Sequence, residues 1–94
     1  MPAATKSSEA RRLADECLDS LSRYDRERNG QLVRTLRAFL EADGNHAAAA
    51  EKLFVHKNTV KYRLQLIREL TGLQPECGRD QLLFRIALTV RSAG

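Results

Sequence analysis

Residues 44–70 read GNHAAAAEKLFVHKNTVKYRLQLIREL, and the organisation of the whole chain turns on this stretch. It holds a short alanine-rich segment, an interruption at Phe54, Val55 and His56, and most of a second helical segment that starts at Lys57 and continues to about Thr71. Asn45 stands where an N-cap side chain accepts from a free backbone N–H, while Gly44 and Gly72 stand where a left-handed residue ends a helix. In the second segment Val60, Leu64 and Ile67 recur at the spacing of one inward stripe. The alanines leave so little bulk that a neighbouring backbone can come close. A lean first helix, a turn that buries one apolar residue and a second helix anchored inward are the parts of a helix-turn-helix, and Ala50, Val55, Val60 and Leu64 supply them.

At about 100° per residue, the side chains opposite that inward stripe are Asn58, Lys61, Tyr62 and Gln65. The DNA major groove admits one α-helix and presents a distinct donor and acceptor pattern for each base pair. Amides such as those of Asn58 and Gln65 can pair bidentately with adenine, Lys61 can donate to guanine, and Tyr62 and Arg63 have the reach for flanking phosphates. Lys57 sits at the leading end, where the helix dipole also favours an anion. A plain helical bundle with a polar outer side, docking to another protein through its first or last helix, would show the same amphipathic split. The lean helix, the short break and an outer side without an acid before Glu69 together favour double-stranded DNA.

Outward from this core the chain reads as further helices. Residues 1–8 are polar and are expected to form a flexible leader. Ala10, Leu13, Ala14, Cys17, Leu18 and Leu21 then mark one stripe of a first helix, capped near Ser8 and ending near Tyr24. After a charged connector from Asp25 to Gly30, Leu32, Val33, Leu36, Phe39 and Leu40 mark a second helix. A loop over 74–79 precedes a fifth helix whose apolar side is expected to be Leu82, Leu83, Ile86, Ala87 and Val90. The expected fold is all-α with about five helices, a single domain over 9–94 whose helix-turn-helix core is 45–72.

Composition agrees with this reading and narrows the function. The chain has 94 residues with few aromatics (5%), the usage of packed helices in a domain with little room for an enclosed active site. Its net charge of +4 is unevenly placed: residues 45–72 carry five Lys/Arg against two Asp/Glu, while residues 1–44 are balanced at eight of each. Such a basic segment suits phosphates. No nucleophile, paired-carboxylate or phosphate-loop motif is present, so the chain is read as a non-enzyme without a cofactor. His46, His56, Cys17 and Cys77 lack metal-ligand spacing and are not read as a metal site; the cysteines are expected to be reduced thiols. His56 is expected to cap the second helix of the motif or touch a phosphate, and His46 to be an exposed first-turn residue. Without a membrane span or signal peptide, the expected compartment is the cytoplasm.

The segment HKNTVKYRL, residues 56–64, resembles the H-x-N-T-x-x-Y-R-L signature of the C-terminal helix-turn-helix domain of the PucR family, bacterial regulators of purine and sugar-diacid use. The resemblance extends through LVRTLRAFLEADGN before it and through LTG and RDQLLFRIALTV after it, covering about residues 18–92. A looser similarity to the nucleoid protein Fis lies in Gly44-Asn45, the paired alanines, Leu53-x-Val55 and Asn58-Thr59-Val60. Carried over by position, the resemblance implies that His56, Lys57, Asn58, Thr59, Lys61, Tyr62 and Arg63 face DNA or brace the residues that do. Arg63, nearer the buried side, is alternatively a structural partner, and Tyr62 alternatively packs on a neighbouring helix. Phe54 departs from the pattern, standing where many helix-turn-helix proteins use Gly. Members of the family also carry long N-terminal regions, so this chain is expected to be either the C-terminal domain of such a regulator or a short relative.

Because one helix reads only a few base pairs, the expected working form on DNA is a homodimer on two half-sites. The first helix is the candidate contact, through Leu13, Cys17, Leu18 and Leu21. The alternative is that this stripe covers the second and fifth helices of its own chain. No small-molecule effector is expected on this domain.

Overall fold

The computed structural model describes the backbone of residues 2–93 and the side chains of residue 12 and residues 15–89. Five helices follow in order: α1 (Pro2–Arg28), α2 (Leu32–Glu41), α3 (His46–Leu53), α4 (Lys57–Thr71) and α5 (Gly78–Ala93), with no strand among the described residues. The expected start of the first helix near Ser8, after a leader over 1–8, is corrected: the helical backbone of α1 already begins at Pro2, while the side chains of Ser8, Ala10, Leu13, Ala14 and Val90 lie outside the described ones.

The core is built from Leu18 and Leu21 of α1, Leu32, Leu36 and Phe39 of α2, Ala49 and Ala50 of α3, Val60, Leu64 and Ile67 of α4, and Phe84 and Ala87 of α5, all buried. Leu18 and Leu21 are wholly enclosed by their own chain, so they are not available to a second copy. Removing such side chains from water is the main stabilising contribution, about 1.5–3 kcal/mol for each large one.

Two further expectations about the flanking helices are corrected. First, α1 runs on past Tyr24 to Arg28. The residues read as a connector continue the helix because Asp25 is used within it: its Oδ1 accepts from the Leu32 N–H at 2.7 Å and its Oδ2 from the Val33 N–H at 3.1 Å. One carboxylate from α1 thereby caps the N-terminus of α2. The chain reverses through Asn29 and Gln31, both left-handed at φ 52° and 56°. Between them Gly30 passes so close to Tyr24 that a Cβ there would lie 2.5 Å from the ring.

Second, α5 is rolled relative to the expected face. Leu82 is 61% and Ile86 41% exposed, whereas Phe84, absent from the expected stripe, is 1% exposed and sits in the core with Ala87 and Leu88. Apolar residues surround much of this helix, and the largest of them takes the inward position. The left-handed end of α2 is also wider than one glycine: Asp43 (φ 55°) and Gly44 (φ 81°) share it. Their N–H groups donate to Leu40 O and Phe39 O, both at 3.0 Å, the paired bonds of a Schellman motif.

Candidate nucleic-acid interface

Asn45 opens α3 as the sequence predicts, its Oδ1 accepting from the Ala48 N–H at 3.0 Å. Ala49 and Ala50 are buried against the rest of the motif. The helix closes in a second Schellman motif, with the Phe54 N–H donating to Glu51 O at 3.3 Å and the Val55 N–H to Ala50 O at 3.1 Å. Phe54 itself takes the left-handed position at φ 57° and ψ 43°, the conformation for which glycine is usual, and its side chain is 92% exposed. Val55 is half-buried and packs on the core, the turn's one inward residue.

His56 caps α4. Its Nδ1 accepts from the Asn58 N–H at 3.0 Å, so Nε2 carries the proton of the neutral ring and is the nitrogen left for an outside acceptor. Beyond it the two sides of α4 separate as its spacing predicts. Val60, Leu64 and Ile67 are buried; Lys57, Asn58, Lys61, Tyr62 and Gln65 are exposed. Tyr62 is 61% exposed. Gln65 Nε2 donates to Glu69 Oε2 at 3.3 Å, one turn further along the same side. Between the two sides lie Thr59 and Arg63, both half-buried. Arg63 turns inward: its Nη1 donates to Thr35 Oγ1 on α2 at 3.2 Å. The candidate residues thus fall into an exposed group of six, a flank residue Thr59, and Arg63, which is engaged within the protein.

The exposed side of α4 bears Lys57 and Lys61 with no carboxylate until Glu69, so it faces solvent with positive charge at the end where the helix dipole is also positive. His46, expected to be exposed, is half-buried beside the Phe39 ring (centroids 5.0 Å apart), with its Nε2 3.7 Å from Glu76 Oε2. Cys17 and Cys77 are free thiols. Burial, with the Glu16 carboxylate adding to it, raises the Cys17 pKa and so disfavours its thiolate form. Among the described residues no three His, Cys, Asp or Glu gather as metal ligands, and no helix is long and apolar enough to cross a membrane.

Two residues that support the motif are not found by reading it alone. Thr35 is buried in α2 among Leu32, Leu36 and Phe39, and Asp25 reaches α2 from another helix. The position of Thr35 within the apolar stripe of α2 is a signal that was available; nothing local marks Asp25.

The model of the PucR C-terminal helix-turn-helix domain matches residues 32–90, from the start of α2 into α5. The chain is 49% identical over 59 residues to an uncharacterized protein of Mycobacterium tuberculosis, covering 63% of this chain and 14% of that protein. It is 44% identical over 62 residues to the carbohydrate diacid regulator of Escherichia coli, covering 66% and 16% of the two chains. It is 42% identical over 56 residues to the DNA-binding transcriptional activator AdeR of Bacillus subtilis, covering 60% and 13%. The matched stretch is therefore a small part, 13 to 16%, of each of these relatives. No solved structure matches. With the motif's caps, turn and inward stripe in place and most of the chain matched by the family model, this chain belongs to the PucR C-terminal helix-turn-helix family.

Proposed function

We propose that the chain binds double-stranded DNA sequence-specifically as the DNA-reading part of a bacterial transcriptional regulator, with α4 in the major groove. The observation that carries this reading is the two-sidedness of α4, in which Asn58, Lys61, Tyr62 and Gln65 stand exposed opposite a fully buried Val60, Leu64 and Ile67. A surface helix held rigidly from behind and carrying amides and cations outward meets the chemical needs of base-edge recognition. Lys57, the His56 Nε2–H and Thr59 at the leading end suit the phosphates that set register on the duplex. Membership of a regulator family and the activator AdeR among its relatives support the same reading and a non-enzymatic role. The compartment is then the cytoplasm, where DNA is available.

In this reading two copies bind two half-sites about one helical turn apart, because the outer side of one helix spans too few base pairs for selectivity. Leu18 and Leu21 of α1 are enclosed in their own core and would not join the copies. The test is titration of the chain with a duplex enriched from a random-sequence pool and with mixed-sequence DNA. Asn58→Ala and Lys61→Ala are expected to weaken binding to the enriched duplex by about 1–3 kcal/mol and relax its preference, while Lys57→Ala weakens binding to all DNA alike and lowers the salt slope by about one. Unchanged binding in all three variants would refute the assignment of α4. Sedimentation with a palindromic duplex tests the two-copy form, which one chain per duplex on every palindrome would overturn.

A further inference from the structure

Thr35 is the one buried polar side chain among the described residues, and it is fully enclosed. Its hydroxyl donates to Gln31 O at 2.8 Å, which leaves its lone pairs facing away from that carbonyl, and there Arg63 Nη1 donates to it at 3.2 Å. The anchor beneath is itself held. Gln31 O also accepts from the Thr35 N–H at 3.0 Å, and the next two N–H groups, of Leu32 and Val33, are capped by Asp25. A valine at 35 would fill the same space without a polar atom to satisfy, so packing alone does not call for the hydroxyl. What the hydroxyl adds is a directional hold on α4.

We propose that Arg63 is a positioning residue: tied to the buried Thr35 hydroxyl, it sets the roll of α4 about its own axis and so the direction in which Asn58, Lys61 and Gln65 point. This rests on the reading of α4 as the DNA-reading helix. The apolar contacts of Val60, Leu64 and Ile67 resist separation of α4 from the core but are not directional. A hydrogen bond is directional, and this one acts at the flank of the helix, where it opposes roll. The tolerance is small, since recognition groups must be held within roughly 0.5 Å and 10–20° of their working geometry.

The experiment is a double-mutant cycle of Thr35→Val and Arg63→Met in the whole chain. It reads the ratio of affinity for a duplex enriched by the wild-type chain from a random pool to affinity for mixed-sequence DNA, together with the salt slope and the thermal melt. Each single variant and the double variant are expected to lower the ratio by a similar factor, roughly 5- to 50-fold as for loss of one or two aligned base contacts, with the salt slope unchanged. Thr35→Ser keeps the hydroxyl and should keep the wild-type ratio, a control that holds even where Thr35→Val folds poorly. A ratio lost equally in Thr35→Ser overturns the proposal. So does Arg63→Met lowering affinity for all DNA alike and flattening the salt slope by about one, the mark of a phosphate contact. A lowered melting temperature with the ratio intact would make the pair structural only and also overturns it. A wild-type chain that enriches no duplex would instead sink the DNA reading itself, and the positioning role with it.

Discussion

Helices α4 and α5 are similar in length and both lie against the same core, yet only one of them shows its buried side in its sequence. In α4 the apolar residues Val60, Leu64 and Ile67 form a single stripe with charged and amide side chains opposite, and the three are buried together. In α5 Leu82, Leu83, Phe84, Ile86, Ala87 and Leu88 run nearly round the circumference, and the helix buries Phe84, Ala87 and Leu88 while Leu82 and Ile86 stay exposed. A helix with one stripe has one orientation that removes its apolar surface from water. A helix with several has near-equivalent choices, and the shape of the cavity offered by the other helices selects among them.

The sharpest way to break this comparison is to truncate both alternatives on α5. Phe84→Ala should cost about 3–5 kcal/mol of stability through lost transfer energy and an unfilled cavity. Leu82→Ala should stay within about 0.5 kcal/mol, as for an exposed position. Denaturant midpoints at constant slope measure both, and comparable losses would mean that α5 sits in the roll first expected from its spacing. On the α4 side, Ala50→Leu should overpack the crossing of α3 and α4 and cost about 1–3 kcal/mol, with affinity for DNA falling in step. A stable variant with normal DNA binding would show that the crossing does not depend on the small residue.

Smaller effects sharpen the contrast between caps made locally and caps made across the fold. Asp25→Ala removes the carboxylate that α1 lends to the N-terminus of α2 and should lower stability by about 0.5–2 kcal/mol, with faster amide exchange at Leu32 and Val33. The smallest expected change is a gain. Phe54→Gly relieves a left-handed strain of about 1–2 kcal/mol and loses part of that to the greater freedom of the unfolded glycine, leaving a net stabilisation of about 0.5–1 kcal/mol in the same denaturation measurement. A loss of stability would show that the Phe54 ring makes contacts that its 92% exposure does not suggest.

The helix-turn-helix was legible because each of its parts is a local decision. Asn45 caps α3 through its own side chain, Gly72 ends α4 at φ 76°, and the spacing of Val60, Leu64 and Ile67 separates the buried from the exposed side of α4 within one helix. The exposed candidates Lys57, Asn58, Lys61, Tyr62 and Gln65 follow from the same geometry, since whatever lies opposite a single inward stripe must face solvent. The tertiary structure decided what depends on a neighbour distant in the chain. It turned Arg63 toward Thr35, extended α1 so that Asp25 could cap α2, and put Phe84 rather than Leu82 into the core. In each case the deciding partner lies on another helix, and helical periodicity records where a side chain leaves its own helix but not which atoms it will meet there.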